Sequence, residues 1–287
     1  MLTRRNLLKG AAALAAVHTL SPLAFAEAEK LRFKIGACDW SIGKDSDIGA
    51  FEVAKKIGLQ GIQVNMGREK NDMHLRSKDL QAKYLAESKR TGIKIASLAI
   101  GELNQVPYKS DPRTEQWVSD SIDVAKALGV NVVLLAFFSK NDLRKDDAGK
   151  AEVVSRLTKV APKAEKLGVT LGIESYLSAE EHLDIMQKVG SKAIKVYYDF
   201  RNSTDAGYDI FKEVKLLGKD NICELHIKEN GKLLGTGDLD WPRIRKALDE
   251  IGYLGDGWMQ IEWAMPDQAD TVESYKHNLA FVKKTFG

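Results

Sequence analysis

Four short apolar segments in the second half of the chain each place a carboxylate or an imidazole at or beside their end. The residues Glu174, Asp199, His226 and Glu262 follow one another at spacings of 25, 27 and 36 positions. In a barrel of ~250 residues built from eight strand–helix units, each unit takes ~30 residues, so these spacings match that repeat. We therefore expect the four side chains to converge above one end of a barrel of parallel strands.

The types of these side chains define the chemistry that they could perform. Three carboxylates and one imidazole suit Mn²⁺, Mg²⁺, Co²⁺ or Fe²⁺, and they would also accept Zn²⁺. A single Glu at the end of a strand usually caps the strand or pairs with a neighbouring cation. Because all four residues are in phase with the repeat, the pattern favours a metal site. The sequence predicts one bound divalent ion, with Mn²⁺ as the first choice.

From residue 31 onward, strand-like segments alternate with amphipathic helical patterns. We predict eight strands, at 33–38, 61–65, 93–99, 131–136, 169–174, 194–199, 221–227 and 258–263. The helical patterns include 48–57, 78–91, 114–128, 152–167 and 179–189, and several precede the glycine that commonly follows a helix. This alternation indicates parallel βαβ units. An open doubly wound sheet would alternate in the same way, but no G-x-G-x-x-G follows the first strand. We predict an α/β fold, a single-domain (β/α)8 TIM barrel over residues 31–287.

The first 26 residues have the features of an export signal. Arg4 and Arg5 precede an apolar stretch that ends in the small-x-small sequence Ala24-Phe25-Ala26. The paired arginines predict a cleavable twin-arginine signal, recognised by the Tat export machinery, and a periplasmic protein. A Sec signal and an uncleaved anchor are alternatives. His18 and Pro22 interrupt the apolar stretch and disfavour an anchor, so we expect no stable membrane association after cleavage.

Charge and cysteine content limit the partners of the mature protein. The signal carries three of the 43 Lys and Arg residues and none of the 40 Asp and Glu residues, so the remainder is formally neutral. This balance argues against nucleic acid as a partner. Cys38 and Cys223 lie within predicted strands, where cysteine usually behaves as a small buried hydrophobe. This position disfavours a disulfide between them, but the sequence does not decide whether they are bridged. The sequence leaves the oligomeric state open, a homo-oligomer included.

Several motifs carry a family resemblance across nearly all of the mature chain. They are Gly172-Ile173-Glu174, the segment 198–202, the segment 226–229, the segment 235–241 and Ile261-Glu262. With these motifs the chain resembles the xylose isomerase-like TIM barrels of the sugar phosphate isomerase/epimerase family, which include ketose 3-epimerases. The resemblance implies a sugar isomerase or epimerase with one divalent cation bound by Glu174, Asp199, His226 and Glu262.

The resemblance also implies that Glu174 and Glu262 are the catalytic acid and base. They would move a proton to and from a carbon next to a carbonyl, through an enediolate stabilised by the cation. Two carboxylates facing one carbon allow inversion there, whereas one base on a single face allows transfer between adjacent carbons. The sequence does not choose between epimerisation and isomerisation.

The chain departs from the ketose epimerase pattern at two places. Asn202 stands three residues past Asp199, where those enzymes tend to carry a substrate-binding His. Gln63-Val64-Asn65 closes the second predicted strand, where many members carry a Glu. Glu180 falls where epimerases hold a substrate-binding Glu, but it fits equally well as an acidic residue at a helix N-terminus. These differences concern the substrate more than the metal.

Three further residues are candidates for substrate contact. Lys228 follows His226 by two positions and points to the same side of its strand, so it could reach a substrate oxygen or Glu262. Trp40 and Trp263 lie just past the first and last strands, where indole rings could stack on a sugar.

The site leaves other functions open. Sugar phosphates are rare outside the cytoplasm, so a periplasmic member would act on a free sugar, a glycoside or an oxidised sugar. One alternative is a metal-dependent lyase or hydrolase acting on 3-keto-glycosides, which uses the same proton abstraction. Another is a catalytically inactive sugar-binding barrel, although binding alone would not require a carboxylate on each side of the metal. Hydrolysis of abasic DNA would need additional His ligands and a basic face.

The signal can be tested by its removal and its arginines. We expect exported protein to lack the first ~26 residues, and the double substitution Arg4→Lys with Arg5→Lys to block export. Mass spectrometry of the periplasmic fraction measures both effects. Periplasmic protein that still begins at Met1 would refute cleavage.

Overall fold

The computed structural model describes residues 33–253 and 257–287, and the predicted export signal lies outside them. Eight parallel strands close into a barrel in chain order. They are β1 (Lys34–Cys38), β2 (Gly61–Asn65), β3 (Lys94–Ile100), β4 (Val132–Phe137), β5 (Thr170–Ser175), β6 (Ile194–Asp199), β7 (Ile222–Ile227) and β8 (Trp258–Ile261). The chain therefore has the predicted single (β/α)8 TIM barrel fold.

Helices surround the strands in the described part of the chain. They are α1 (Ala50–Ile57), α2 (Lys78–Thr91), α3 (Arg113–Leu128), α4 (Asp147–Leu167), α5 (Ala179–Val189), α6 (Phe200–Asp205), α7 (Ile210–Leu217), α8 (Trp241–Glu250) and α9 (Thr271–Phe286). None of these helices is long and apolar enough to cross a bilayer.

Most predicted boundaries agree with the structure to within a residue, and the exceptions have local causes. The last strand ends at Ile261 rather than residue 263, because Trp263 adopts a left-handed backbone conformation with φ 42°. Helix α4 begins five residues earlier than predicted, since the Asp146 side chain caps it by accepting a hydrogen bond from the Gly149 backbone N–H. Helix α1 begins at Ala50, two residues later than predicted.

Alternate residues of each strand face two different cores. Outward residues such as Ile62, Leu98 and Leu135 pack with helix residues such as Phe51 and Val118 in one large cluster. A smaller apolar cluster lies inside the barrel and contains Ala99, Val132, Leu134, Ala136 and Tyr197. The barrel interior therefore has an apolar part, contributed mainly by β4.

The rest of the barrel interior is polar. Inward positions on β1, β2, β3, β7 and β8 carry buried side chains able to form hydrogen bonds, namely Cys38, Gln63, Ser97, Glu224, His226 and Gln260. Cys38 and Cys223 are both free thiols. Buried polar groups require partners, so this half of the interior has to be held by side-chain hydrogen bonds.

The tight interior can be tested at Gly172 on β5. A Cβ atom there would lie 2.7 Å from Cys223 Sγ and 3.2 Å from Tyr197 Cβ. We expect Gly172→Ala to lower the free energy of unfolding by roughly 1–3 kcal/mol, as overpacking typically does. Urea denaturation measures the loss, and Cys223→Ala in the same chain should restore most of it by removing Sγ. An unchanged unfolding midpoint in the single variant would contradict this packing.

Candidate metal centre and substrate cavity

The four predicted ligands meet at the carboxyl ends of β5 to β8. Glu174 and His226 are the penultimate residues of β5 and β7, Asp199 ends β6, and Glu262 follows β8. One ligand atom from each lies within 4.8 Å of the other three, and all four side chains are buried. This convergence follows from the parallel strands, whose carboxyl ends share one rim of the barrel.

His226 stands at the centre of the group. Its Nδ1 lies 2.9 Å from Glu174 Oε1, 3.5 Å from Glu262 Oε2 and 3.9 Å from Asp199 Oδ2. A neutral imidazole has one nitrogen lone pair, and a carboxylate has several. His226 Nδ1 and the three carboxylates around it are therefore all able to donate an electron pair to a cation placed between them.

The two carboxylate oxygens of Asp199 have different roles: one caps a helix and the other faces the candidate metal ligands. Oδ1 caps α6 by accepting hydrogen bonds from the backbone N–H groups of Arg201 and Asn202, at 2.8 and 3.0 Å. Oδ2 is buried among the other ligands and accepts no hydrogen bond of good geometry, although the Lys228 ammonium lies nearby. A buried carboxylate oxygen without a hydrogen bond, aimed at other metal-binding atoms, fits a cation ligand.

Lys228 contributes a positive charge to the same group. Its Nζ lies 3.1 Å from both Asp199 Oδ2 and Glu262 Oε2, and the side chain is buried. As the period of two predicted, it lies on the same side of β7 as His226. With a neutral imidazole, three carboxylates and one ammonium leave two negative charges, which one divalent cation would neutralise. The residues present therefore fit a divalent ion.

The two glutamates have opposite pKa shifts. Burial raises the pKa of Glu174, even though the neighbouring His226 opposes the shift. Burial also raises the pKa of Glu262, but Lys228 and His226 outweigh that effect and the net shift is downward. Paired carboxylates whose pKa values are pushed apart can act as an acid and a base.

A cavity of about 360 Å³ opens above the cluster. Its polar wall, from β1 to β3 and the loops after them, includes Asp45, Asn65, Arg68 and Asn104. Its apolar or aromatic wall, from β4, β5 and the residues after them, includes Leu134, Ala136, Phe138 and Tyr176, and Trp263 contributes from the end of β8. This volume lies at the small end of the range for ligand cavities, ~300–1,000 Å³, and suits a monosaccharide-sized molecule.

Residues 51–285 match the family model for xylose isomerase-like TIM barrels. The chain belongs to this family. The match confirms the resemblance that the strand-end motifs indicated.

Relatives and solved structures show where the chain stands within the family. A D-psicose 3-epimerase of Enterocloster bolteae is 29% identical over 133 residues, which is 43% of this chain and 43% of that enzyme. A 2-epi-5-epi-valiolone 7-phosphate 2-epimerase of Actinoplanes sp. is 24% identical over 225 residues, which is 75% of this chain and 82% of that enzyme.

Structural comparison agrees with these sequence matches. D-psicose 3-epimerase from Clostridium cellulolyticum H10, solved with D-tagatose, superposes with a TM-score of 0.75 at 19% identity, over 88% of this chain and 99% of that one. The fold of this xylose isomerase-like barrel is thus shared over nearly its whole length. The sequence match to the first of the two relatives spans less than half of that relative's length.

Within this family member, the structure places most of the predicted substrate residues at the cavity. Asn202 lines it and donates a hydrogen bond from Nδ2 to Glu174 Oε1 at 3.1 Å. Trp40 lines it and donates its indole N–H to Glu262 Oε1 at 2.8 Å, a contact that the sequence did not suggest. Trp263 forms part of the rim, with 50% of its surface exposed.

Glu180 is the exception among the predicted substrate residues. It is exposed on the first turn of α5, beside a capping box formed by Ser178 and Glu181, and is not among the described residues that line the cavity. This position agrees with its other interpretation, an acidic residue favoured by the helix N-terminus.

The polar wall of the cavity was not predicted from the sequence. Arg68 donates hydrogen bonds to Asp45 Oδ2 from Nε at 2.9 Å and from Nη2 at 2.6 Å, and to Glu102 Oε2 from Nη1 at 3.2 Å. These residues follow β1, β2 and β3, on the side of the barrel where such enzymes build their sites. The length of these loops was the available signal, but no periodic pattern identifies individual residues within them.

The charge of His226 makes cation binding dependent on pH. Burial lowers its pKa, but the surrounding carboxylates, Glu262 and Glu174 first, raise the pKa to about 9. Below that pH the free protein carries an imidazolium, which must lose its proton before Nδ1 can bind a cation. We expect the affinity for Mn²⁺ to rise roughly tenfold per pH unit between pH 6 and 8 and to level off near pH 9.

Calorimetric titration with Mn²⁺ at several pH values measures this slope, and proton release in buffers of different ionisation enthalpy checks it. His226→Ala should bind the ion more weakly and lose the slope. Affinity that does not change with pH in the unsubstituted protein would contradict the role of His226.

Proposed function

We propose that this chain is a divalent-metal-dependent sugar epimerase or isomerase that transfers a proton at a carbon next to a carbonyl. The observation that carries the proposal is the joint placement of Glu174 and Glu262 in a cation-binding cluster at the floor of a monosaccharide-sized cavity. Membership of the xylose isomerase-like family and the epimerase activities named for its relatives support it.

The protein's own residues suit the two halves of a proton transfer. The Glu262 carboxylate is kept ionised beside Lys228 and receives the Trp40 N–H, so it can remove a proton from the substrate carbon. Glu174, whose pKa is raised, can supply a proton to the same carbon from the opposite face or to the adjacent carbon. When bound, the cation would supply the positive charge that stabilises an enediolate.

We further propose that the substrate is an uncharged carbohydrate. Among the described residues that line the cavity, the cations are Arg68 and Lys228, and each already contacts two carboxylates. A phosphate dianion would have to compete with those carboxylates for either cation. The aromatic wall, with Phe138 and Tyr176, suits the apolar face of a sugar ring.

The proposal extends to location and partners. The segment 1–26 directs the protein through the Tat machinery to the periplasm, where a free sugar, a glycoside or an oxidised sugar is a more plentiful substrate than a sugar phosphate. Export by this route moves folded protein, so the cation could be loaded in the cytoplasm beforehand.

Exchange of substrate protons with D₂O tests the chemistry. Candidate ketoses and 3-keto sugars, with and without a phosphate group, are incubated with Mn²⁺-loaded protein, and NMR identifies the carbon that gains deuterium. Glu174→Gln and Glu262→Gln each keep an oxygen for the cation but delete the proton acceptor, so the rate should fall by roughly 10²–10⁴-fold with a smaller change in affinity. Glu180→Gln, the matched substitution on α5, should cost much less.

The outcomes separate the alternatives. Nearly full exchange in Glu262→Gln would refute the two-carboxylate mechanism. Release of an aglycone from a 3-keto-glycoside would favour the lyase or hydrolase. Sugar binding without exchange at any carbon would leave a catalytically inactive sugar-binding barrel. Equal exchange with phosphorylated ketoses would refute the uncharged substrate.

A further inference from the structure

A chain of buried hydrogen bonds runs through the barrel interior below the cation cluster. It begins at Glu224 on β7, whose Oε2 accepts hydrogen bonds from Ser97 Oγ at 2.8 Å and from the Tyr197 hydroxyl at 2.9 Å. Each hydroxyl group has a single proton, so a hydroxyl that donates to Glu224 can only accept from its other neighbours.

Gln63 on β2 is the next member of the chain. Its Nε2 donates one hydrogen bond to Ser97 Oγ and one to the Tyr197 hydroxyl, both at 3.1 Å. Its Oε1 accepts from Cys38 Sγ at 3.2 Å and lies 3.0 Å from His226 Nε2. Both amide protons and both directions of the amide oxygen are therefore in use.

These contacts fix the orientation of the amide. If the Gln63 side chain were reversed, one of the two hydroxyl groups would have to turn from Glu224 to the amide oxygen, and the buried carboxyl group would lose one of its two hydrogen bonds. Gln63, Ser97 and His226 have no exposed surface, and Tyr197 and Glu224 are 1% and 2% exposed, so water cannot replace a lost partner. The amide oxygen, which only accepts, is thus held facing His226 Nε2.

We propose that Gln63 is a positioning residue for the cation site, held in place by Ser97, Tyr197 and Glu224. Because its oxygen accepts from His226 Nε2–H, the lone pair of the neutral imidazole is kept on Nδ1, the atom that faces the carboxylates. The Tyr197 ring, with its centroid 4.5 Å from that of the imidazole, limits rotation of the His226 ring. The proposal rests on cation binding and does not depend on the identity of the substrate.

This role gives a physical reason for the glutamine in the second strand. A carboxylate at position 63 could accept from His226 Nε2, but it could not donate to Ser97 and Tyr197 at the same time. The two hydroxyl groups already donate their own protons to Glu224. Only an amide provides both an oxygen that accepts from the imidazole and two N–H groups that donate to these hydroxyl groups.

Two substitutions of similar length separate hydrogen bonding from packing. Gln63→Met removes the acceptor for His226 Nε2, and we expect its affinity for Mn²⁺ to fall by about 10–100-fold, as when a group supporting a metal ligand is lost. Gln63→Glu keeps an acceptor oxygen for His226 Nε2 but loses the hydrogen bonds to Ser97 and Tyr197, so it should recover only part of that affinity. Gln60→Met is a control at the opposite end of the barrel, where the Gln60 amide accepts from Ile35 N–H, and it should bind Mn²⁺ normally.

Calorimetric titration measures these affinities, and thermal unfolding of the metal-free variants shows that each has folded. If Gln63→Met does not fold, Ser97→Ala with Tyr197→Phe removes both acceptors of the amide and should also weaken Mn²⁺ binding. Equal loss of affinity in Gln63→Met and Gln63→Glu, or no loss in Gln63→Met, would overturn the proposal.

Nitrogen NMR of Zn²⁺-loaded protein gives a readout that packing alone would not change. We expect His226 to bind the ion through Nδ1 and to carry a slowly exchanging proton on Nε2, which exchanges much faster in Gln63→Met. Coordination through Nε2 would overturn the proposal. Normal Mn²⁺ binding without deuterium exchange into any sugar would count against the proposed enzymatic function and leave the role of Gln63 intact.

Discussion

The mutual repulsion of three buried carboxylates is the constraint on which the carboxyl end of this barrel depends. Glu174, Asp199 and Glu262 place oxygens within a few ångströms of one another, largely out of contact with water. Buried charges of one sign require opposite charge and hydrogen-bond donors nearby. Lys228 supplies the charge, Asn202 and Trp40 supply donors, and a divalent cation would supply what remains.

Because side chains alternate between the inside and the outside of the barrel along each strand, this constraint extends into the barrel interior. Glu224 and His226 are successive inward residues of β7, and Lys228 continues the series just after the strand, so the strand that serves the cluster also places a carboxyl group below it. That group is satisfied by hydroxyl groups from β3 and β6, and the amide on β2 links them to the imidazole. The polar part of the interior therefore contains a connected network whose members, Glu224, Ser97, Tyr197, Gln63 and His226, specify each other's orientation.

The structural features that could be predicted from the sequence are those that depend on patterns within a short segment of the chain. The strands were predicted almost to the residue, because apolar segments and the glycines after helices are local features. The convergence of the four candidate metal ligands was also predicted, since the repeat fixes which end of each strand they share. Gln63 was noticed only as a departure from the family pattern, because its partner Tyr197 is 134 positions away and no local pattern joins them. The Arg68–Asp45 contact joins two loops, and no local pattern identifies such a contact. Glu180 was a candidate for substrate contact because of its spacing from Glu174, but the same position also suits an acidic residue at a helix N-terminus.

The charge balance also bears on what the cavity can bind. Each of the carboxylate oxygens beside Lys228 can accept more than one partner, so the ammonium and a divalent cation can share Asp199 and Glu262. With both present and His226 neutral, the floor of the cavity has no net charge. On the polar wall, Arg68 faces two carboxylates, Asp45 and Glu102, and contributes no excess positive charge. A phosphate ester would gain little electrostatic attraction in such a cavity, whereas hydroxyl groups could hydrogen-bond to its many acceptors and a ring face could pack on Phe138. The charges required to bury three carboxylates therefore favour an uncharged sugar.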